Sequence, residues 1–177
     1  MLSGSTMTGE VTPRYHRGPR SFEGVSVSQL PLGPVHHVRM AVTDVERSKA
    51  FYTGVLGFEV AADAPPPPGD EHHEAVADAL QGGVVLANQG MLFGLRPVDK
   101  DRADAGDRFD PFRVGLDHIS FSVPTRADLD DAARHLDERG VPHGPIRDLV
   151  PFGLSFLAFF DPDGIALELT APISDPA

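Results

Sequence analysis

Three side chains in this chain of 177 residues are of types that can share a divalent ion: His37, His118 and Glu168. His118 sits in Leu116–Val123, Leu-Asp-His-Ile-Ser-Phe-Ser-Val. Read at period two, Ile119, Phe121 and Val123 form an apolar face, and His118, Ser120 and Ser122 form a polar one. His37 sits in a second copy of that stretch, Val35–Val42, where His37, Arg39 and Ala41 share the polar face. Each histidine stands five residues before the valine that closes its strand. Glu168 is mid-strand between Leu167 and Leu169, where an unpaired buried carboxylate would cost several kcal/mol. Two imidazoles and one carboxylate with coordination positions left open suit Fe(II) or another first-row divalent ion. The bland alternatives are a hydrogen-bonded structural histidine and an exposed glutamate on an edge strand.

The elements that must position these groups repeat as well. Asp44 and Thr125 each lie seven residues after their histidine, placed to cap a helix start. Leu129, Ala132, Ala133 and Leu136 make a helical stripe, and Ser48, Phe51, Tyr52 and Val55 make a weaker one. Gly57 and Gly140 mark the helix ends. Phe58–Ala61 reads as a short strand, and Gly83–Ala87 with Met91–Arg96 as a hairpin about Asn88-Gln89-Gly90. Leu154–Phe160 and Ile165–Thr170 are strands flanking the turn Asp161-Pro-Asp-Gly164. The fold class is therefore α+β, two tandem β-α-β-β-β modules over residues 33–97 and 115–172. Residues 1–32 read as a flexible tail and 98–114 as a linker in which Phe109 and Phe112 tuck against the body. His72-His73-Glu74 reads as a solvated loop, and His135 and His143 as surface groups.

Composition narrows the partners. A formal charge of −11 argues against nucleic acid or an anionic membrane surface. No apolar run approaches the ~20 residues that span a bilayer. With no cysteine, thiolate metal sites, disulfides and cysteine nucleophiles are excluded, which agrees with a cytoplasmic protein.

The stretches His37-Val-Arg-Met-Ala-Val-Thr-Asp44, Phe51-Tyr-Thr-Gly-Val-Leu-Gly-Phe58, Asp117-His-Ile-Ser-Phe-Ser-Val123 and Phe160-Asp-Pro-Asp-Gly-Ile-Ala-Leu-Glu-Leu169 resemble the vicinal oxygen chelate superfamily. That superfamily includes glyoxalase I, bleomycin-resistance proteins and extradiol dioxygenases. The resemblance covers residues 35–171. It implies paired modules whose curved mixed sheet surrounds a metal-binding cleft, with His37, His118 and Glu168 as metal ligands. It also implies a small-molecule substrate and a homodimer. The sequence departs from glyoxalase I at one ligand: aligning Gly90 with Gly164 places Gly94 opposite Glu168. The strand Leu154–Phe160 lacks the tyrosine of extradiol enzymes.

Around this centre, Arg39 is placed to hold an anionic substrate oxygen or to pair with an acidic neighbour. Ser120 is placed to hydrogen-bond a ligand or to pack. Phe93 and Phe156, with Phe152 and Phe159, could wall an apolar pocket or form core. The expected function is a divalent-metal enzyme, Fe(II) favoured and Mn, Zn, Ni or Co possible. It acts on a small oxygenated molecule, with dioxygenase-type cleavage leading and a glyoxalase-like lyase or isomerase next. A non-catalytic binder of the bleomycin-resistance kind is the alternative from another class.

Overall fold

The computed structural model describes residues 34–99, 101 and 108–173. The tail read at 1–32 and part of the linker read at 98–114 lie outside the described residues. The first module contains β1 (His37–Val42), α1 (Val45–Gly54), β2 (Glu59–Ala62), α2 (His73–Leu80), β3 (Val84–Asn88) and β4 (Met91–Pro97). The second contains β5 (Ile119–Ser122), α3 (Arg126–Glu138), β6 (Arg147–Leu149), β7 (Leu154–Phe160) and β8 (Ala166–Pro172). A single 3-10 turn, Val150–Phe152, separates β6 from β7.

Each module folds into one mixed four-stranded sheet, in the orders β1-β4-β3-β2 and β5-β8-β7-β6. In both, the first strand runs parallel to the last, and the remaining pairs are antiparallel. The repeat is thus one of topology as well as of sequence. Both helices start where the capping residues stand. The Asp44 side chain accepts from the Arg47 amide, and Thr125 with Asp128 closes a full capping box. The two-residue turn Gln89-Gly90 has φ of 44° and 86°, as a tight hairpin requires.

The residues His73–Leu80 form a helix, which corrects the reading of a solvated loop there. Val76, Ala77 and Leu80 give it a short apolar stripe, and Leu80 is buried. His73 Nδ1 lies 2.6 Å from the Pro66 carbonyl, tying the helix start back to the proline run. Among the described residues no helix is long and apolar enough to cross a membrane.

The apolar faces of the two sheets share one core. Phe58 and Phe93 from the first module meet Phe121 from the second at ring-centroid distances of 5.7 and 6.0 Å. A polar clamp closes beside that core. Asp163 of the Asp-Pro-Asp-Gly turn accepts from the Thr43 amide at 3.1 Å, the Thr43 hydroxyl at 2.5 Å and Arg47 at 2.9 Å. Asp161 accepts from Tyr52 at 3.2 Å and from the amides of Asp163 and Ile165 at 2.9 and 2.8 Å. Both aspartates are buried. Burial pushes the Asp161 carboxyl up, against the pull of its three donors. Burial likewise pushes the Tyr52 hydroxyl far above its ordinary range, and the neighbouring Asp161 charge adds to the shift.

Two histidines read as surface groups belong to the interior contacts. His135 Nε2 is 2.7 Å from the Val55 carbonyl, so it donates from α3 to the end of α1 and ties the modules together. The His143 side chain is only 16% exposed, and its Nδ1 donates to the Gly144 carbonyl at 2.7 Å. Helix position alone hides the His135 contact, because its partner is a backbone carbonyl 80 residues away.

Candidate functional site

The second module positions a histidine and a glutamate against one another. Strands β5 and β8 run parallel with Ser120 opposite Glu168, so both side chains rise from the same sheet face. The Glu168 carboxylate is mostly shielded, its side chain 19% exposed. Its Oε1 accepts from the Ser120 hydroxyl at 3.1 Å and the Thr170 hydroxyl at 2.9 Å. Those hydroxyls lie 2.6 Å from each other. His118, just before β5, brings Nε2 to 3.9 Å from the same Oε1. On its other edge, His118 Nδ1 is 2.5 Å from Asp117 Oδ1. A carboxylate on Nδ1 holds the proton there and leaves the Nε2 lone pair free, the arrangement that orients metal-ligating histidines. Ala158 stands opposite Glu168 on β7 and keeps the space above the carboxylate open. The resulting cavity of about 250 Å³ is also bordered by Phe112 and Phe160.

The first module holds the other histidine. His37 Nδ1 lies 3.0 Å from His36 Nδ1, with the two rings edge to face. His36 is thus the Nδ1 partner of His37, an imidazole where His118 has a carboxylate. The strand β4 places Leu92 opposite His37 and Gly94 opposite Arg39. Arg39 donates to the Leu80 carbonyl at the end of α2 at 2.8 Å. Among the described residues no carboxylate pairs with it, so the acidic-neighbour alternative for Arg39 is not met there. A cavity of about 350 Å³ is lined by His37, Arg39, Leu80, Val84, Leu92 and Gly94 among others.

Of the three residues singled out as ligands, the structure brings His118 and Glu168 together, while His37 lines a separate cavity. Among the described residues there is no group of three His, Asp or Glu side chains that could hold a metal ion. The His118–Glu168 pair supplies two donor atoms, an imidazole nitrogen and a carboxylate oxygen, of types that a divalent ion takes. Donors 3.9 Å apart are spanned by one ion at about 2.1 Å from each. The two hydroxyls on Oε1 and the carboxylate on Nδ1 are the outer contacts such a pair needs.

Ser120 acts on Glu168 directly, so its polar role is toward the carboxylate. Phe93 does not line the cleft. It is fully buried, on the sheet face opposite Arg39 and Gly94, against Tyr52 and Phe58. Phe159 is core too, and Phe152 is 77% exposed. Phe156 is half-buried and stands opposite Thr170, on the face of Glu168. Phe109 packs against the core, but Phe112 is 96% exposed and rims the Glu168 cavity. Sequence reasoning gave Asp117 and Thr170 no part in the site and set His36 on the face opposite His37. Period two carries Thr170 onto the Glu168 face, and adjacency marks Asp117 and His36, so each signal was present in the sequence.

Known proteins share this architecture. The family model described as "Glyoxalase/Bleomycin resistance protein/Dioxygenase superfamily" matches residues 35–169. The chain is 34% identical over 139 residues to protein YwkD of Bacillus subtilis, covering 78% of this chain and 96% of that one. It is 36% identical over 92 residues to the mitochondrial methylmalonyl-CoA epimerase of Bos taurus, covering 52% of this chain and 47% of that protein. The solved glyoxylase/bleomycin resistance protein/dioxygenase domain from Frankia sp. EAN1pec superposes with a TM-score of 0.61 at 29% identity. That match covers 80% of this chain and 93% of that one. With its duplicated module, its paired sheets and a family match over both halves, the chain belongs to the glyoxalase/bleomycin resistance protein/dioxygenase superfamily.

Proposed function

We propose that this chain is a divalent-metal-dependent enzyme. In our reading it takes a small substrate with two neighbouring oxygens and moves a proton on the carbon beside them, as an isomerase or lyase. The observation that carries this reading is Glu168, fixed by Ser120 and Thr170 and facing His118 Nε2. His118 and Glu168 would hold the ion, with His37 as the third donor. When bound, the ion supplies Lewis acidity that stabilises negative charge developing on a chelated oxygen. The chain's own part is positional. Ser120 and Thr170 keep the carboxylate oriented, Asp117 keeps Nε2 presented, and Ala158 leaves room for the ligand. The similarity to an epimerase supports proton transfer as the reaction class. The donor set of two imidazoles and one carboxylate favours a second reading, dioxygenase-type cleavage with Fe(II). The lack of cysteine agrees with a cytoplasmic setting.

A second copy of the chain is the partner we propose. Apolar side chains rim the cavity with Glu168 and stand free, Phe112 at 96% and Phe160 at 57% exposure, while Val35 beside His36 is 71% exposed. A homodimer that covers them would bring the partner's first module over the second module of this chain, and His37 of the partner subunit to the pair.

Metal content by plasma mass spectrometry, compared across wild type, His118→Ala and Glu168→Ala, tests the core of the reading. The expected result is about one equivalent in wild type, lost in both folded variants. A wild type that carries and takes up no metal overturns it. Solvent deuterium incorporation into a panel of 2-oxygenated acyl substrates favours the first reaction class, and O₂ consumption with a catechol panel favours the second. Mixing unfolded His37→Ala and Glu168→Ala chains and refolding them tests the shared site. A hybrid dimer regains one intact site of two if His37 comes from the partner, and none if it does not.

A further inference from the structure

The two modules are related position by position, and the relation breaks at one pair. Two residues after His118 comes Ser120, opposite Glu168; two residues after His37 comes Arg39, opposite Gly94. Where the second module holds a carboxylate, the first holds a guanidinium over a glycine. The exchange is fitted in space. A Cβ built on Gly94 would lie 2.9 Å from Arg39 Cγ and 3.4 Å from its Cβ and Cδ. The stem of Arg39 thus fills the place a side chain at 94 would take, and any acid there would have to displace it. The guanidinium has five N–H donors, and its one partner among the described residues is the Leu80 carbonyl. It borders the same cavity as His36 and His37, and Leu80, Val84, Val85 and Leu92 give that cavity an apolar side.

We propose that this pair is a recognition subsite for the anionic group of an otherwise apolar small molecule, a carboxylate in the first instance. Arg39 is its specificity-determining residue. The first module's quasi-equivalent pair, Arg39 with Gly94, thus carries a cation where Ser120 with Glu168 carries an acid, and that cation can neither ligate a metal nor accept a proton but can bind an anion. A guanidinium meets a carboxylate with two parallel hydrogen bonds, and the apolar walls accept a short alkyl body beside it. The inference deepens the proposed function, because the anion would belong to the substrate.

The test uses metal-free full-length protein labelled with ¹⁵N, so that failure of the metal reading and failure of this one are separable. Isobutyrate is the probe and isobutyramide, its neutral isostere, the control. The expected result is a saturable shift of the Gly94 and Arg39 amide signals with isobutyrate and at least a tenfold weaker response to isobutyramide. Arg39→Met should weaken isobutyrate binding tenfold or more while leaving the response to isobutyramide unchanged, and Arg39→Lys should restore part of the loss. Equal binding of acid and amide, unchanged isobutyrate binding by Arg39→Met, or no saturable shift in wild type would each overturn the proposal. Unchanged β4 amide signals outside the Gly94 region in Arg39→Met establish that the variant is folded. If that variant unfolds, Arg39→Gln, which keeps most of the stem over Gly94, takes its place.

Discussion

The Asp117 carboxylate stands 2.5 Å from His118 Nδ1 and is itself largely exposed, so its contribution is to the imidazole rather than to the fold. Replacing it with asparagine removes the charge that fixes the tautomer and keeps the shape. Asp117→Asn should therefore weaken metal binding about 10–100-fold with little change in stability. Competition against a fluorescent chelator reads the first, and urea unfolding the second. An unchanged metal affinity would assign Asp117 no part in the site. At this scale the sequence was informative where side chains meet side chains in regular strands. His118, Ser120 and Glu168 come together because parallel register and period two leave them no other face. Arg39 resisted reading because its partner is the Leu80 carbonyl, and a backbone group at the end of an unforeseen helix leaves no trace in residue types.

Among the elements, the strands and the two long helices were legible from periodicity and caps, whereas α2 was not. Its eight residues offer one apolar turn and a half, beneath the length at which helical and random patterns separate. Just before the ladder between β3 and β4 stands a glycine whose need is equally silent in the sequence. A Cβ on Gly83 would lie 2.0 Å from the Leu95 carbonyl oxygen, a backbone atom that cannot step aside. Gly83→Ala should cost about 3 kcal/mol through this overlap. Urea denaturation would show it as a lowered midpoint with an unchanged slope. A loss within experimental error would mean that the β3 start can shift away from β4.

For the whole molecule, the clamp of Asp161 and Asp163 decides how the halves are held. Sequence reading took Asp-Pro-Asp-Gly for a turn and no more, since nothing local says that Thr43, Arg47 and Tyr52 arrive there. Tyr52→Phe removes one donor from the buried Asp161 charge and should destabilise the protein by about 1.5–3 kcal/mol near neutral pH. The pH dependence follows from the direction of the Tyr52 shift. Its hydroxyl titrates above the unfolded value of 10.0, so its stabilisation is complete below that value and drains away as pH rises past it. Wild type should lose stability between pH 9 and about pH 11 more steeply than Tyr52→Phe does, because the variant has no proton to lose there. Parallel urea titrations of the two proteins across that range give the answer, and identical slopes would remove Tyr52 from the account.

The clamp also has a kinetic side. Thr43 and Asp163 are separated by 120 residues, so their contact closes a very long loop, while every strand pairing among the described residues lies within a single module. Local pairings form first and long-range closure last. On a ribosome the first module is complete before the turn that will seal it has been made. Until then Thr43, Arg47 and Tyr52 lack the carboxylates that Asp161 and Asp163 supply in the finished protein.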